Sequence, residues 1–497
     1  MKRTLTLSSL LLLLVLVLVL LNAGVSSNVT TDPEISAIIS QVDSTRILNT
    51  ATTLQNFGTR QSCSTQLPSG QGVSAARDFL FSQYSAIPGL EVRLDPFVHR
   101  NCPNSPTFNV IAWLPGSTPN RLVIVGGHYD SRTTFVLDNT SPAPGGNDAG
   151  AQTGVVLELA RILAGHRFDA TIVFMSFAGE EQGLFGSGSI AANLTRYFPS
   201  PHVIAMLNTD IPGGDNTANT PSDLQNFRLY SSGIPRERFS TDPDGTTDNT
   251  SPSRGVMRYV GTLGSAYVPS LTMAPKLRED RPGRASDHVS FINNGFPAVR
   301  LMETFECSPS PVDNSCGATK LPCPPPAQIP AFCKDLSFIT THQHSPSDLV
   351  QFMTPSYAAQ IAQVMASVAA SLARAPDAPQ NLTAKGNAVQ GIRLNFNGPQ
   401  DGDVDHFVVA ARSVNENFYR QRITVSEGDN QLISPQALGL NPGDSFFVSV
   451  STVDSAGHES LFAWPEVRCD SSACVIPSYA KAPLASSTPD NQNVDED

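Results

Sequence analysis

Charged side chains are scarce: Asp, Glu, Lys and Arg make up 15% of the 497 residues, against about a quarter in ordinary soluble domains. Basic residues are the scarcer kind, 32 against 44 acidic ones, giving a formal charge of −12. That balance excludes the basic footprint with which a nucleic-acid binder grips phosphates. Beyond residue 21 no apolar run approaches the roughly 20 residues needed to cross a bilayer. Cys-x-x-Cys pairs are absent, which argues against a zinc ribbon or a dithiol redox site. Apolar residues are not scarce: at 40% they exclude a disordered chain. The length exceeds one ordinary domain and predicts two or three.

The amino terminus predicts the compartment. Lys2 and Arg3 precede an unbroken Leu/Val run from Leu10 to Leu21, followed by the small residues Ala23, Gly24, Val25, Ser26 and Ser27. This reads as a secretory signal peptide over residues 1–27, too short for an anchor. The mature chain is therefore expected to be secreted and extracellular, or periplasmic in a bacterium, with no membrane span left. The eight cysteines agree, since an even number in an exported chain reads as disulfides. Cys469 and Cys474 are expected to pair locally. Cys63 is expected to pair with Cys102, because Cys307, Cys316, Cys323 and Cys333 cluster, with a nested pairing of their own. Sequons at Asn28, Asn139, Asn193, Asn249 and Asn381 permit N-glycosylation.

From residue 121 to 302 the texture alternates. Residues 121–127 (RLVIVGG), 170–178 (ATIVFMSFA), 203–207 and 297–302 (PAVRLM) are apolar strand runs. Residues 151–165 and the Ala-rich 357–374 carry helical spacing. Uninterrupted apolar strands separated by helices predict an α/β fold, a mainly parallel mixed sheet flanked by helices. At residues 375–380 (APDAPQ) the pattern breaks into a linker. Beyond it, residues 391–396, 406–412, 422–425 and 445–453 alternate like strands of a small β-sandwich. The expected domains are therefore 28–374, 381–470, and a polar acidic tail, 471–497.

Metal-binding residue types gather where the first unit's strands end. His128 and Asp130 follow one strand, Glu180 and Glu181 the next, and Asp210 a third; Asp148 lies in a Gly-rich loop just before a helix. In an open parallel sheet ligands collect beyond the carboxyl ends of the strands. So many carboxylates in one place repel, and a divalent cation is the natural compensation. Singly, each residue has a commoner role. A histidine after a strand is usually structural, an acidic pair usually opens a solvated helix, and Asp148 and Asp210 suit caps or turns.

Together and in order, His-x-Asp after a strand, GGNDAGAQTG, FAGEEQGLFGS, MLNTD, SDHVSF at residues 286–291 and HSPSD at residues 344–348 resemble the dizinc aminopeptidases of metallopeptidase family 28. The likeness covers about residues 34–374. It implies that His128, Asp148 and Asp210 hold one zinc and that Asp148, Glu181 and His344 hold the other, two Zn2+ in all. It also implies Glu180 as general base and Asp130 as the carboxylate orienting His128. Such a pair of ions can share a water and stabilise both developing oxygens, and a carboxylate kept free of the metal can shuttle the proton to the leaving amine. The expected activity is removal of amino-terminal residues from peptides and proteins with a free N-terminus.

The likeness is imperfect. Gln152 stands where the family favours Gly, either shaping the substrate mouth or merely opening the helix. Ser345 replaces the usual Thr, and His342 competes as a ligand; His344 is preferred because it alone precedes Ser-Pro-x-Asp. Asp287 and His288 are expected in a hydrogen-bonded wall, and Arg278, Arg281 and Arg284 in a solvated basic loop. The second unit resembles a fibronectin type III module through residues 403–412 and 446–460, lacking the usual core Trp, with a role as spacer or docking surface. Rival readings are a single-zinc glutaminyl cyclase, a carboxypeptidase or dipeptidase of the same family, and a non-catalytic binding ectodomain.

Overall fold

The computed structural model describes residues 31–65, 67–214, 223–233, 250–280, 284–304, 342–400, 402–426, 428 and 431–477. The expected signal peptide and Cys307, Cys316, Cys323 and Cys333 lie outside the described residues.

Among the described residues the larger unit opens with three helices: α1 (Pro33–Ile39), α2 (Ser44–Asn56) and α3 (Gly72–Ser85). Asp32 and Asp43 cap the first two, accepting from Glu34 N at 2.7 Å and Thr45 N at 2.8 Å. Strands β1 (Glu91–Phe97), β2 (Thr107–Leu114) and β3 (Thr118–His128) lead to a kinked segment, Gly146–Ala151, in which Asp148 and Ala149 are not helical, and then to α4 (Gln152–Leu163). Then come β4 (Ala170–Phe177), α5 (Phe185–Ala191), β5 (His202–Thr209), β6 (Asn226–Ser231), α6 (Pro252–Tyr267), β7 (Thr272–Lys276), α7 (Asp287–Asn293), β8 (Ala298–Glu303) and α8 (Pro355–Arg374). The eight strands form one sheet in the order β1-β2-β4-β3-β5-β8-β6-β7. Its centre, β4-β3-β5-β8, is parallel, while β1, β2 and β6 pair antiparallel with their inner neighbours.

Why the central strands read as continuous apolar runs is visible in their burial. Val123 and Val125 of β3 face one core with α2, α4 and α8, whereas Leu122 and Ile124 face a second core under α5 and α7. Side chains alternate across the sheet, so a strand covered on both faces needs apolar residues at every position. At about 25 cal/mol per Å2 of apolar surface, these two layers supply the main stabilisation of the unit.

The smaller unit holds β9 (Gln380–Asn387), β10 (Gly391–Asn397), β11 (His406–Ser413), β12 (Arg422–Val425), β13 (Phe446–Val453), β14 (Val467–Cys469) and β15 (Cys474–Val475). A two-stranded and a five-stranded sheet enclose one core, with Leu382, Ile392 and Leu394 against Phe407, Val409 and Val448. The expected tail boundary at residue 471 falls inside the β14–β15 hairpin, which the Cys469–Cys474 disulfide closes. A Cys63–Cys102 disulfide is also present. The smaller unit packs on α6. Tyr259 Oη donates to the Glu459 carbonyl at 2.9 Å, and Gly261 leaves room for Phe418, whose ring would lie 2.6 Å from a Cβ there. Among the described residues no helix is long and apolar enough to cross a membrane.

Candidate metal centre

The parallel strands β4, β3, β5 and β8 end on one edge of the sheet, and the sequence-predicted residues meet there. His128 is the last residue of β3. Asp148 lies at the kink before α4, Glu180 and Glu181 in the turn after β4, and Asp210 just past β5. His344 comes from a loop before α8. His128, Glu180 and Asp210 form one group of potential ligand atoms, and Asp148, Glu181 and His344 a second, each within 4.8 Å. Asp148 faces both: its Oδ1 is 3.3 Å from His128 Nε2 and its Oδ2 is 3.1 Å from His344 Nε2. Asp210 Oδ1 stands 3.5 Å and Glu180 Oε2 3.8 Å from His128 Nε2, while Glu181 Oε2 stands 3.3 Å from His344 Nε2. His342 is not in either group; it stacks on Phe352 with ring centroids 3.9 Å apart.

Asp130 is fully buried beneath this array. Its Oδ1 lies 3.5 Å from His128 Nδ1, and its carboxylate accepts from Ser62 Oγ at 3.2 Å and from the Glu180 and Glu181 amides at 3.3 Å each. The hydrogen bond of His128 Nδ1 is to the Asp130 main-chain carbonyl at 3.1 Å, so the residue meets the imidazole through its backbone while its side chain pins the acidic turn.

The sequence reading gave Arg132 and Arg300 no role and did not foresee the contacts that Asp348 and Gln152 make. Asp348 accepts from the Asn147 and Asp148 amides at 2.8 and 3.0 Å, and its carbonyl accepts from Gly146 N at 2.8 Å, so the HSPSD loop shapes the turn carrying Asp148. Gln152 neither lines a mouth nor merely starts a helix: its Nε2 donates to Asp210 Oδ1 at 3.2 Å, and its Oε1 accepts from Ile211 N at 2.9 Å. Arg300 of β8 pairs with Asp210 Oδ2 at 2.8 Å and with Asp280 Oδ2 at 2.6 Å. A lone Arg in the buried run PAVRLM was its signal. Arg132 Nε donates to Glu181 Oε2 at 2.6 Å. Asp287 and His288 are fully buried, but the expected hydrogen-bonded wall holds only for His288, whose Nε2 lies 2.8 Å from the Glu279 carbonyl; both Asp287 oxygens lack a hydrogen-bond partner. Arg278 and Arg284 are half-buried rather than solvated; Arg281 lies outside the described residues.

The electrostatics are those of crowded anions. Burial, with repulsion from Asp210, Glu181 and Asp287, raises the Glu180 carboxyl well above its usual range despite His128. Burial would raise Glu181 too, but His344 and Arg132 outweigh it and hold it low. Arg300 and His128 likewise overcome burial at Asp210. Both imidazoles are shifted upward against their burial: Glu180 acts chiefly on His128 and Glu181 on His344. Asp148 Oδ1 and Glu181 Oε1 are buried with no hydrogen-bond partner. Buried carboxylate oxygens are costly without a partner. The donor set, oxygen and imidazole nitrogen, is one that suits zinc.

Comparison with known proteins agrees in kind. The profile of peptidase family M28 matches residues 109–369. A protein of Leptosphaeria maculans named "Probable zinc metalloprotease" is 29% identical over 443 residues, covering 82% of this chain and 95% of that protein. One of the same description from Pyricularia oryzae is 33% identical over 372 residues, 71% of this chain and 68% of that protein. Among solved structures, the LapA aminopeptidase of Legionella pneumophila superposes with a TM-score of 0.48 at 18% identity, covering 71% of this chain and 78% of that one.

Proposed function

The chain belongs to peptidase family M28, and from that premise we propose that it is a secreted zinc-dependent aminopeptidase with two Zn2+ per chain. The observation that carries this reading is Asp148, whose two oxygens face two different imidazoles at 3.3 and 3.1 Å. His128, Asp148 and Asp210 would hold one ion, and Asp148, Glu181 and His344 the other. Bound there, zinc supplies Lewis acidity and a water of lowered pKa. The chain's own residues do the rest. Glu180, which groups with His128 and Asp210 by distance but is assigned to neither ion in this reading, takes a proton from water and returns it to the leaving nitrogen. Asp130 keeps the His128 ring in register and fixes the Glu180 amide. Arg300 and Gln152 fix Asp210 from behind. The acidic lining favours a positively charged α-amine, which limits cleavage to the first residue. Residues 381–470 form a fibronectin type III-like module that positions the enzyme or docks it to another surface.

The test is a peptide beside its N-acetylated twin, with zinc counted by elemental analysis. We expect the free peptide to lose its first residue, the blocked one to survive, and two zinc ions to copurify. Equal cleavage of both, or release from the carboxyl end, overturns the aminopeptidase reading. Cyclisation of an N-terminal Gln with one tightly held zinc would favour the cyclase.

A further inference from the structure

Seven large apolar side chains are exposed among the described residues, and four of them belong to the larger unit. Phe135, 76% exposed, Val136, 37%, and Leu137, 58%, stand in one loop beside the metal centre, and Val98, 77%, in a second loop tied to it. The first three occupy a tight turn closed by Asp138 N donating to the Phe135 carbonyl at 3.0 Å. Turns of this kind ordinarily carry Gly, Asn, Asp or Ser, and three adjacent exposed apolar residues exceed the single scattered ones that need no explanation.

The turn is anchored to the site. Thr134 Oγ1 donates to the carbonyl of His344 at 3.3 Å, Arg132 reaches Glu181, and Gln61 Nε2 donates to the Val136 carbonyl at 3.0 Å. After it, Asp138 Oδ1 accepts from the Thr140 and Ser141 amides at 3.1 and 2.9 Å. The second loop is tied to the first through the Cys63–Cys102 disulfide and the Asn139 Nδ2 bond to the Cys63 carbonyl at 3.4 Å. Its His99 packs on Phe185 at 4.6 Å between ring centroids, beside the glycine that precedes Glu180. The apolar groups are thus held in place rather than loosely displayed.

We propose that this turn, with Val98 on the loop tied to it, is the surface that receives the substrate beyond the cut bond and selects apolar side chains there. The inference rests on the aminopeptidase reading. In such an enzyme one residue enters the buried metal centre, and the rest of the peptide must leave over the exposed rim. An apolar rim gains from burying an apolar residue in that position and gains nothing from a serine.

The test compares wild type with Phe135→Ser/Leu137→Ser on Leu-Phe-Gly, Leu-Ser-Gly and leucinamide. Wild type should favour Leu-Phe-Gly over Leu-Ser-Gly. The double variant should lose about tenfold in kcat/KM on Leu-Phe-Gly and stay within about twofold on leucinamide. Unchanged zinc content and thermal midpoint will show that it is folded. The proposal is overturned if the variant keeps the wild-type preference, or if all three substrates fall together. A change in self-association with no kinetic change overturns it too and assigns the turn to contacts between copies. Should wild type spare leucinamide and release the carboxyl-terminal glycine, the aminopeptidase reading fails and the assignment to this side of the bond falls with it.

Discussion

Both units bury charge, and the smaller unit and the metal centre of the larger one treat it in opposite ways. In the smaller unit Glu466 has both oxygens engaged: Arg412 Nε at 3.0 Å and Tyr419 Oη at 2.9 Å on one, Arg412 Nη2 at 2.6 Å on the other. Arg258 of α6 approaches at 3.5 Å, joining the units. Burial would raise Glu466, yet Arg258 and Arg412 hold it down to about 2. At the metal centre the carboxylates outnumber the cations facing them, and Asp148 and Glu181 each keep an oxygen without a hydrogen-bond partner. A satisfied buried charge holds structure together. An unsatisfied one facing an imidazole suits a cation; the orphaned oxygens of Asp287, which belongs to neither group of potential ligands, do not by themselves make such a place.

The largest expected effect separates the two. Asp148→Asn should abolish peptidase activity and zinc retention, with no loss of thermal stability in the metal-free protein because repulsion is relieved. Activity and zinc content near wild type would break the comparison at its centre. Next, Glu466→Ala should destabilise by about 3–5 kcal/mol, since it removes the carboxylate that neutralises Arg412 and Arg258 in the interior. Its kcat/KM per folded molecule should stay unchanged; denaturant titration and steady-state kinetics separate the two. If catalysis collapsed while the fold held, the smaller unit would be part of the active site.

How much of this was legible follows from how far apart the interacting residues are. The strands β3, β4, β5 and β8 announce themselves because both faces are buried. β1 alternates exposed and half-buried residues, and β7 carries Pro275, so neither stands out as a run. His128, Glu180, Glu181 and Asp210 could be read because each sits at the end of a recognisable strand. The clamp that Asp348 places on the Asp148 turn could not, being 200 positions away. Nor could the Gln152 bonds to Asp210 and Ile211, since a helix-opening Gln looks the same whether it bonds solvent or a neighbour.

Asp130 lies between the two extremes, a buried carboxylate satisfied by Ser62 and two amides while facing His128. Asp130→Asn should weaken zinc affinity by about 10–100-fold. Chelator competition measures it. An effect confined to stability would place Asp130 with Glu466 instead.

The smallest effect tests whether an orphaned atom alone marks a cation site. His288 is fully buried; its Nε2 meets the Glu279 carbonyl, while Nδ1 has no hydrogen-bond partner. It resembles Asp148 in that respect, but it is neutral. Burial lowers its pKa to about 4, Asp280 and the Glu279 carbonyl opposing, and Arg300 adding to the fall, with Asp210 beyond. The unfolded chain takes up the proton near the ordinary value of about 6.5 while the folded chain does not. Stability is therefore intact above about pH 6.5 and is lost as pH falls towards 4. At pH 5.5 the loss is about 1 kcal/mol. His288→Gln can keep a donor towards the Glu279 carbonyl but cannot titrate. Its stability relative to wild type should therefore improve between pH 6.5 and 4, with zinc content unchanged. A parallel pH profile would show that His288 titrates normally. A loss of zinc would show that even a neutral orphan here belongs to the centre. We expect neither, because a lone pair on a neutral ring costs far less to leave bare than one on a buried carboxylate.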